Sequence, residues 1–392
     1  MKIAISGAGV AGPSLAHWLL KAGHEPVLIE QAPEFRAGGY VIDFWGLGYE
    51  LACRMGLEQS ILDAGYQIGE IRIVTESGKT RASLDASVFG QLTNNRFTSL
   101  PRGELSRIIY TTVKDRVETM FGETMTAIED HDSGVRVSFE NSGDRAFDLV
   151  IGADGLHSNV RRLAFGPEKQ FEHELGYRVA AFEVSAYQPR DELIYMLHAE
   201  PGKQIARFAL RGDRTLVLLV YRAEPGAPAP REEAEQKSEL RRVFANTGWE
   251  SARMLEAMER VSDVYFDNVS QIRMPQWTKG RVALIGDAAA AVSLLAGEGT
   301  GLAMTESYVL AGELMKAGGD YRAAFAAYER QLQPFLAEKQ KAAVNFASSF
   351  APKTKLGMWL RVQATRLMGF APLANLLLGP SVRDDFELPD YF

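Results

Sequence analysis

The feature that most constrains this chain is its opening run, MKIAISGAGVAGPSLAHWLLKAG, where glycines separate a strand pattern from a helix pattern. Residues Lys2 to Ser6 alternate and favour a strand, Pro13 to Lys21 carry apolar side chains at helical spacing, and Glu25 to Glu30 read as a second strand. Gly7, Gly9 and Gly12 fall where a strand turns sharply into a helix, where a pyrophosphate approaches the backbone, and where helix packs on strand; each demand excludes a Cβ. Ala11 lies in the same turn, where backbone N–H groups face the anion. Glu30, followed by Gln31, closes the second strand about 20 positions after the glycines, the separation at which a carboxylate accepts hydrogen bonds from an adenosine ribose. A plain structural turn and a solvated strand end are the bland alternatives. The unit predicts a βαβ dinucleotide site without separating FAD from NAD, which share the ADP half.

Two distant runs bear on that choice. In DLVIGADGLHSNVRRLAF a buried strand ends at Asp154-Gly155 and a helix follows. Asp154 reads either as a helix cap or as part of a cofactor-proximal turn that Arg161 orders by pairing with it or with another acid. In RVALIGDAAAAVSLLAGEGTGLAMTESYVLAGEL a strand ends at Gly286-Asp287, and a helix begins after Gly297, Gly299 and Gly301, with Thr300 among them. Asp287 is suited to accept hydrogen bonds from polyol hydroxyls. The glycines admit the edge of an isoalloxazine ring to the backbone, and the positive helix end stabilises negative charge at flavin N1 and the C2 carbonyl. An acid and three glycines clustered behind a strand are not explained by an ordinary helix start. The cofactor expected is therefore FAD.

Between these runs the patterning changes. Longer strands over Ile194–His198, Gln204–Leu210 and Thr215–Tyr221 suggest a second, sheet-based domain, and the strand Val282–Ile285 returns the chain to the first. The fold class is α/β: a Rossmann-like FAD-binding domain with an inserted, mainly β substrate domain and C-terminal helices. The expected boundaries are 1–175 and 274–350 for the FAD-binding domain, 176–273 for the substrate sheet and 351–392 for a C-terminal helix or bridge. With 392 residues, a formal charge of −7 and scattered histidines, the chain offers no global electrostatic footprint for nucleic acid and no metal-ligand spacing. The single cysteine, Cys53, reads as a small apolar residue and fits a reducing cytoplasm; no apolar stretch reaches the ~20 residues a membrane span needs. The run LGMWLRVQATRLMGFAPLANLLLG reads first as packed helix, with a membrane-surface helix as the alternative.

GxGxxG, then DG, then GD, in that order, resemble the class A flavoprotein aromatic hydroxylases of the para-hydroxybenzoate hydroxylase-like family over residues 1 to about 345. Within it, the pattern is most similar to the tetracycline-inactivating and polyketide-hydroxylating monooxygenases. The resemblance implies that Glu30 holds the ribose, that Arg102 in LPRGELSRI reaches FAD from a helix start, and that Asp287 holds the ribityl chain. It also implies that Gly38 and Gly39 pass the flavin, with Arg36 near the pyrophosphate. Here NAD(P)H would reduce FAD, O2 would add at C4a, and the hydroperoxide would oxygenate a phenolic, enolic or polycyclic aromatic small molecule. No protein residue is singled out as catalytic, since nothing resembles a nucleophile elbow or a metalloprotease helix. The chain departs from the family at Ala290, Ser293 and Leu294, where an aromatic or His and one or two prolines are common, and at Gln31, commonly Arg. A flavoprotein of the same fold that does not hydroxylate (an oxidase, a reductase or a sequestering module) is the alternative; a halogenase lacks its WxWxIP segment here. A monomer or homodimer is expected.

Overall fold

The structure, a computed structural model, describes residues 1–35, 40–224, 227–369 and 384–392, the side chains of 345–349 excepted. The strand Lys2–Ser6 lies at the heart of a six-stranded sheet, parallel to Glu25–Glu30 on one side and to Leu149–Gly152 on the other. Glu118–Phe121 extends the first side and Val282–Leu284 the second, all parallel, and Thr278–Lys279 closes the edge antiparallel. Strands covered on both faces must be apolar throughout, and Ile3, Ala4, Ile5, Leu149, Val150 and Ile151 are fully buried. The helix Ala11–Lys21 covers one face with Leu15, Trp18 and Leu19, and the long helix Gly299–Lys316 packs beside it. The order places the first strand at a switch point, since its neighbours run off to opposite sides. Such sheets open a crevice at the carboxyl ends of their strands.

The second sheet has seven strands, ordered Tyr265–Ile272, Glu172–Ser185, Arg214–Arg222, Lys203–Leu210, Ile194–Glu200, Glu70–Val74 and Thr80–Asp85. Its last two strands come from inside the segment expected to form the first part of the FAD-binding domain. Glu70–Val74 pairs parallel with Ile194–Glu200, a long-range register that no local pattern announces. The first part of the chain thus contributes a hairpin to the second sheet. Helices Glu233–Phe244 and Ser251–Met258 cover the sheet's outer face through Leu240, Phe244, Met254 and Met258. Its inner face meets the parallel-sheet region through Tyr177, Val179, Val220, Val269 and Leu295.

The helix Tyr321–Phe350, capped by Asp320, and the helix Lys355–Met368 follow. The latter packs on the hairpin strand Thr80–Asp85 with Val362 buried, while Leu356, Trp359, Leu360 and Leu367 stay more than half exposed. Cys53 is free and half-buried against the main core. Among the described residues no helix is long and apolar enough to cross a membrane, and no metal-binding group of His, Cys, Asp or Glu is present.

Candidate active site

Neighbouring parallel strands end side by side, and the acids singled out in the sequence leave from those ends. Glu30 is the last residue of its strand; Asp154 and Asp287 follow Gly152 and Leu284 within three residues. Together with the glycine turn they line one cavity of about 450 Å³. Gly7, Gly9, Ala11, Glu30, Gln31, Arg102, Asp154, Asp287, Gly297, Gly299 and Thr300 all face it. Gly12, Gly286 and Gly301 stand behind its wall. Arg36, Gly38 and Gly39 lie outside the described residues.

The N-terminal turn divides its labour. Gly7 adopts φ +102°, and a Cβ there would stand 2.5 Å from the Ala153 carbonyl oxygen, so the turn is possible only without one. Gly12 is a packing residue, with the Gly7 carbonyl oxygen 2.0 Å from where its Cβ would be. At Gly9 a Cβ would meet nothing nearer than the Arg102 guanidinium at 3.8 Å, so the space in front of it is open to the cavity. Glu30 is aimed by two backbone donors: Ala8 N–H to Oε2 at 2.8 Å and Ala32 N–H to Oε1 at 2.9 Å.

In the second turn Asp154 accepts from Ser158 Oγ at 2.5 Å and Val160 N–H at 3.0 Å, while Ser158 itself caps the helix by accepting the Arg161 N–H. Burial pushes the Asp154 carboxyl up, and these donors draw it back. Both sequence readings of Asp154 therefore describe one residue, braced against a helix start and facing the cavity. Arg161, fully buried, pairs with Glu168 at 2.8 Å rather than with Asp154, and also donates to the Leu156 and Ala288 carbonyls. Through Ala288 it ties the Asp154 turn to the segment after Asp287.

Asp287 has a different environment. Among the described residues its carboxylate accepts no hydrogen bond, although it sits at the cavity floor where burial raises its pKa and Arg102 and Arg161 pull it down. Such a group calls for donors that the protein does not supply. Behind it the Gly286 N–H donates to Glu306 Oε2 at 2.8 Å, and Tyr328 Oη lies 3.0 Å from the same oxygen. Ala291, Ser293 and Leu294 form the wall beyond, their loop tied by Gln271 to the Val292 carbonyl and by Gln340 to the Ala291 carbonyl.

Sequence reasoning missed much of the opposite wall. The second sheet reaches the cavity through Tyr265, Asp267, Asn268 and Ser270 of its edge strand, and no residue of Ile194–Glu200, Lys203–Leu210 or Arg214–Arg222 lines it. Sheet order explains this: the strand Tyr265–Ile272 is the edge beside the parallel-sheet region. Its position in the chain just before the returning strand Val282–Leu284 was the available signal. Tyr40 also lines the cavity, its ring centroid 5.5 Å from that of Tyr265. At the rim His157 bridges Glu168 at 3.0 Å and Asp267 at 3.3 Å, and these acids, Asp267 above all, raise its imidazole to about 9. His157 is thus a cation at the seam between the two sheets.

An unpartnered Asp287, open space before Gly9, a pre-aimed Glu30 and two helix starts on one cavity fit a flavin dinucleotide. Residues 1–338 match the family model described as an FAD binding domain. The chain belongs to that family. It is an FAD-dependent monooxygenase: a flavin-dependent monooxygenase from Legionella longbeachae is 32% identical over 401 residues, covering 100% of this chain and 98% of the relative. Another of that name, from an unknown prokaryotic organism, is 35% identical and covers 90% of each chain. The structure of tetracycline destructase Tet(51) superposes with a TM-score of 0.84 at 31% identity, covering 100% of this chain and 99% of that one. The Klebsiella pneumoniae HpxO complex with FAD and uric acid, at 22% identity and a TM-score of 0.80, shares the fold. The resemblance read from the three glycine runs and the α/β class are thereby borne out.

Proposed function

We propose that the cavity holds FAD along its length and that the enzyme hydroxylates a phenolic, enolic or polycyclic aromatic small molecule with NAD(P)H and O2. The observation that carries this reading is the convergence of the Glu30 end and the unpartnered Asp287 on a single cavity whose far wall is Tyr40, Tyr265 and Leu294. Glu30 takes the ribose hydroxyls, the Gly7–Ala11 turn the pyrophosphate, Asp287 the ribityl hydroxyls and the Gly297–Gly301 turn the isoalloxazine edge. Arg102, beside Gly9 and within electrostatic reach of Asp287, offsets negative charge between those two ends. Bound flavin, reduced by NAD(P)H and met by O2, supplies one electrophilic oxygen to the substrate while the other leaves as water.

What the chain contributes is geometry and dryness. The aromatic pair Tyr40 and Tyr265, tilted 51° to each other, offers with Leu294 an apolar wall to a ring system, and Ser293 stands beside it where a proline would take its place in many relatives of the resembled family. Water excluded there no longer quenches the reactive oxygen. Support for a polycyclic substrate comes from this wall and from the likeness to tetracycline destructases. The test is NAD(P)H consumption by the purified holoenzyme across phenols, enolic polycycles and tetracyclines, with 18O2. Substrate-stimulated consumption with one labelled oxygen entering an aromatic or enolic product is expected. Stimulation without label would overturn hydroxylation, and stimulation only by non-aromatic compounds would overturn the substrate class.

A further inference from the structure

The glycine turn at the cavity, Gly297–Gly301, carries one charged side chain. Between Gly297 and Gly299, neither of which has a side chain to pack, Glu298 points away from the ring of cavity-lining residues. Its Oε1 lies 3.2 Å from Lys339 Nζ, and the same ammonium lies 2.7 Å from Asp384 Oδ1. The other Asp384 oxygen accepts the Leu47 N–H at 2.9 Å, at the start of the helix Gly46–Arg54. That helix packs Gly48 against Gly301, at the other end of the turn. All three charged side chains are 10–14% exposed.

The segment bearing Asp384 is itself anchored. Tyr308 Oη donates to the Pro389 carbonyl at 2.7 Å, Tyr391 Oη donates to Glu313 at 2.6 Å, and the Phe392 ring stacks on Trp18 with centroids 5.1 Å apart. Desolvating two carboxylates around one ammonium makes a poor stabiliser, because apolar side chains of the same volume commonly do as well or better. What ion pairs supply that apolar contacts do not is a fixed register. Here the register fixed is that of a turn already seated by the Gly48–Gly301 contact and by its backbone bonds to Leu294 and Leu302, and the clamp ties its one acid to the C-terminal segment.

We propose that Lys339 is a positioning residue for the flavin-facing turn, clamping Glu298 through Asp384 to the C-terminal segment. This rests on the assignment of Gly297–Gly301 to the isoalloxazine end of the cofactor. The clamp carries one negative charge more than positive, directly behind the turn, so it also biases the flavin against accepting electrons.

Titration of apoprotein with FAD, followed by flavin fluorescence, tests it. Glu298→Gln leaves the Lys339–Asp384 pair seated and reduces the turn's link to it from an ion pair to a neutral acceptor; Lys339→Met cuts both links; Lys339→Arg keeps them. The dissociation constant for FAD rises about tenfold in Lys339→Met, where a charge-assisted hydrogen bond is lost, and about fivefold in Glu298→Gln, where the ion pair is lost and a neutral acceptor remains. It stays within about threefold in Lys339→Arg, and the double variant Glu298→Gln/Lys339→Met is no weaker than Lys339→Met, because both changes remove one interaction. The flavin midpoint potential of Glu298→Gln moves positive, a shift that a general loosening of the fold does not predict. If Lys339→Met does not fold, Glu298→Gln decides. Affinity within twofold of wild type and an unmoved potential in Glu298→Gln overturn the clamp. Glu30→Ala and Asp287→Ala separate the two readings: weakened FAD binding there with unchanged clamp variants overturns the clamp alone. Unchanged binding in both overturns the site assignment and the clamp with it.

Discussion

Glu306 lies under the Gly286–Asp287 turn, 1% exposed, with the Gly286 N–H and Tyr328 as its hydrogen-bonding neighbours. Burial raises its carboxyl from an ordinary 4.5 to about 8, against the pull of those two groups. Below pH 4.5 folded and unfolded chains both hold the proton. Above it the unfolded chain ionises first while the folded one stays neutral, so stability falls with pH until the folded group ionises near 8. Between pH 5.5 and 8.5 that loss amounts to roughly 3 kcal/mol, each pKa unit being worth about 1.4 kcal/mol. Glu306→Gln keeps the size and removes the titration. Urea unfolding of both proteins across this range is predicted to show the wild type losing about 3 kcal/mol relative to the variant as pH rises, the Gln form becoming the relatively more stable at the alkaline end. Parallel curves for the two proteins would refute the assignment of Glu306 as a neutral acid beneath the turn.

Gly9→Ala is predicted to leave apoprotein stability within about 0.5 kcal/mol while weakening FAD binding severalfold, since its Cβ enters only the ligand's space. Gly12→Ala, whose Cβ meets the Gly7 carbonyl oxygen at 2.0 Å, lowers apoprotein stability by about 2 kcal/mol or more in the same urea assay. Arg161→Met leaves the Leu156 and Ala288 carbonyls without this donor and Glu168 with His157 as its remaining partner, and costs about 3 kcal/mol by thermal or urea unfolding. His157 is held protonated by Asp267 and Glu168 up to about pH 9, so its contribution is fully present below about pH 6.5 and lost as pH rises through 9. His157→Asn therefore lowers the melting temperature relative to wild type at pH 6 and not at pH 10; with the side chain 58% exposed, screening keeps the effect small.

The parts of the site legible in the sequence are those that local backbone geometry dictates. Gly7 must take a positive φ beside Ala153, and strand ends must present Glu30, Asp154 and Asp287, so each leaves a short, readable signature of glycine and acid. The wall at Tyr265–Ser270 was not legible, because it depends on the pairing of Glu172 with Ile272, a hundred residues apart in round numbers, and on which strand ends up at the edge. The hairpin Glu70–Asp85 escaped for the same reason: its membership of the second sheet is decided by pairing with Ile194–His198. Arg161 showed the middle case. Its need for an acidic partner was plain from the sequence, but Glu168 was chosen by the path of the turn after the helix.

The central claim is that one flavin spans from Glu30 to Asp287, and a crystal structure of the protein with FAD measures this directly. The account predicts the adenosine ribose within hydrogen-bonding distance of Glu30 and the ribityl hydroxyls at Asp287, with the ring edge on the Gly297–Gly301 turn. Flavin bound with Asp287 still unpartnered, or seated anywhere other than this cavity, would contradict it.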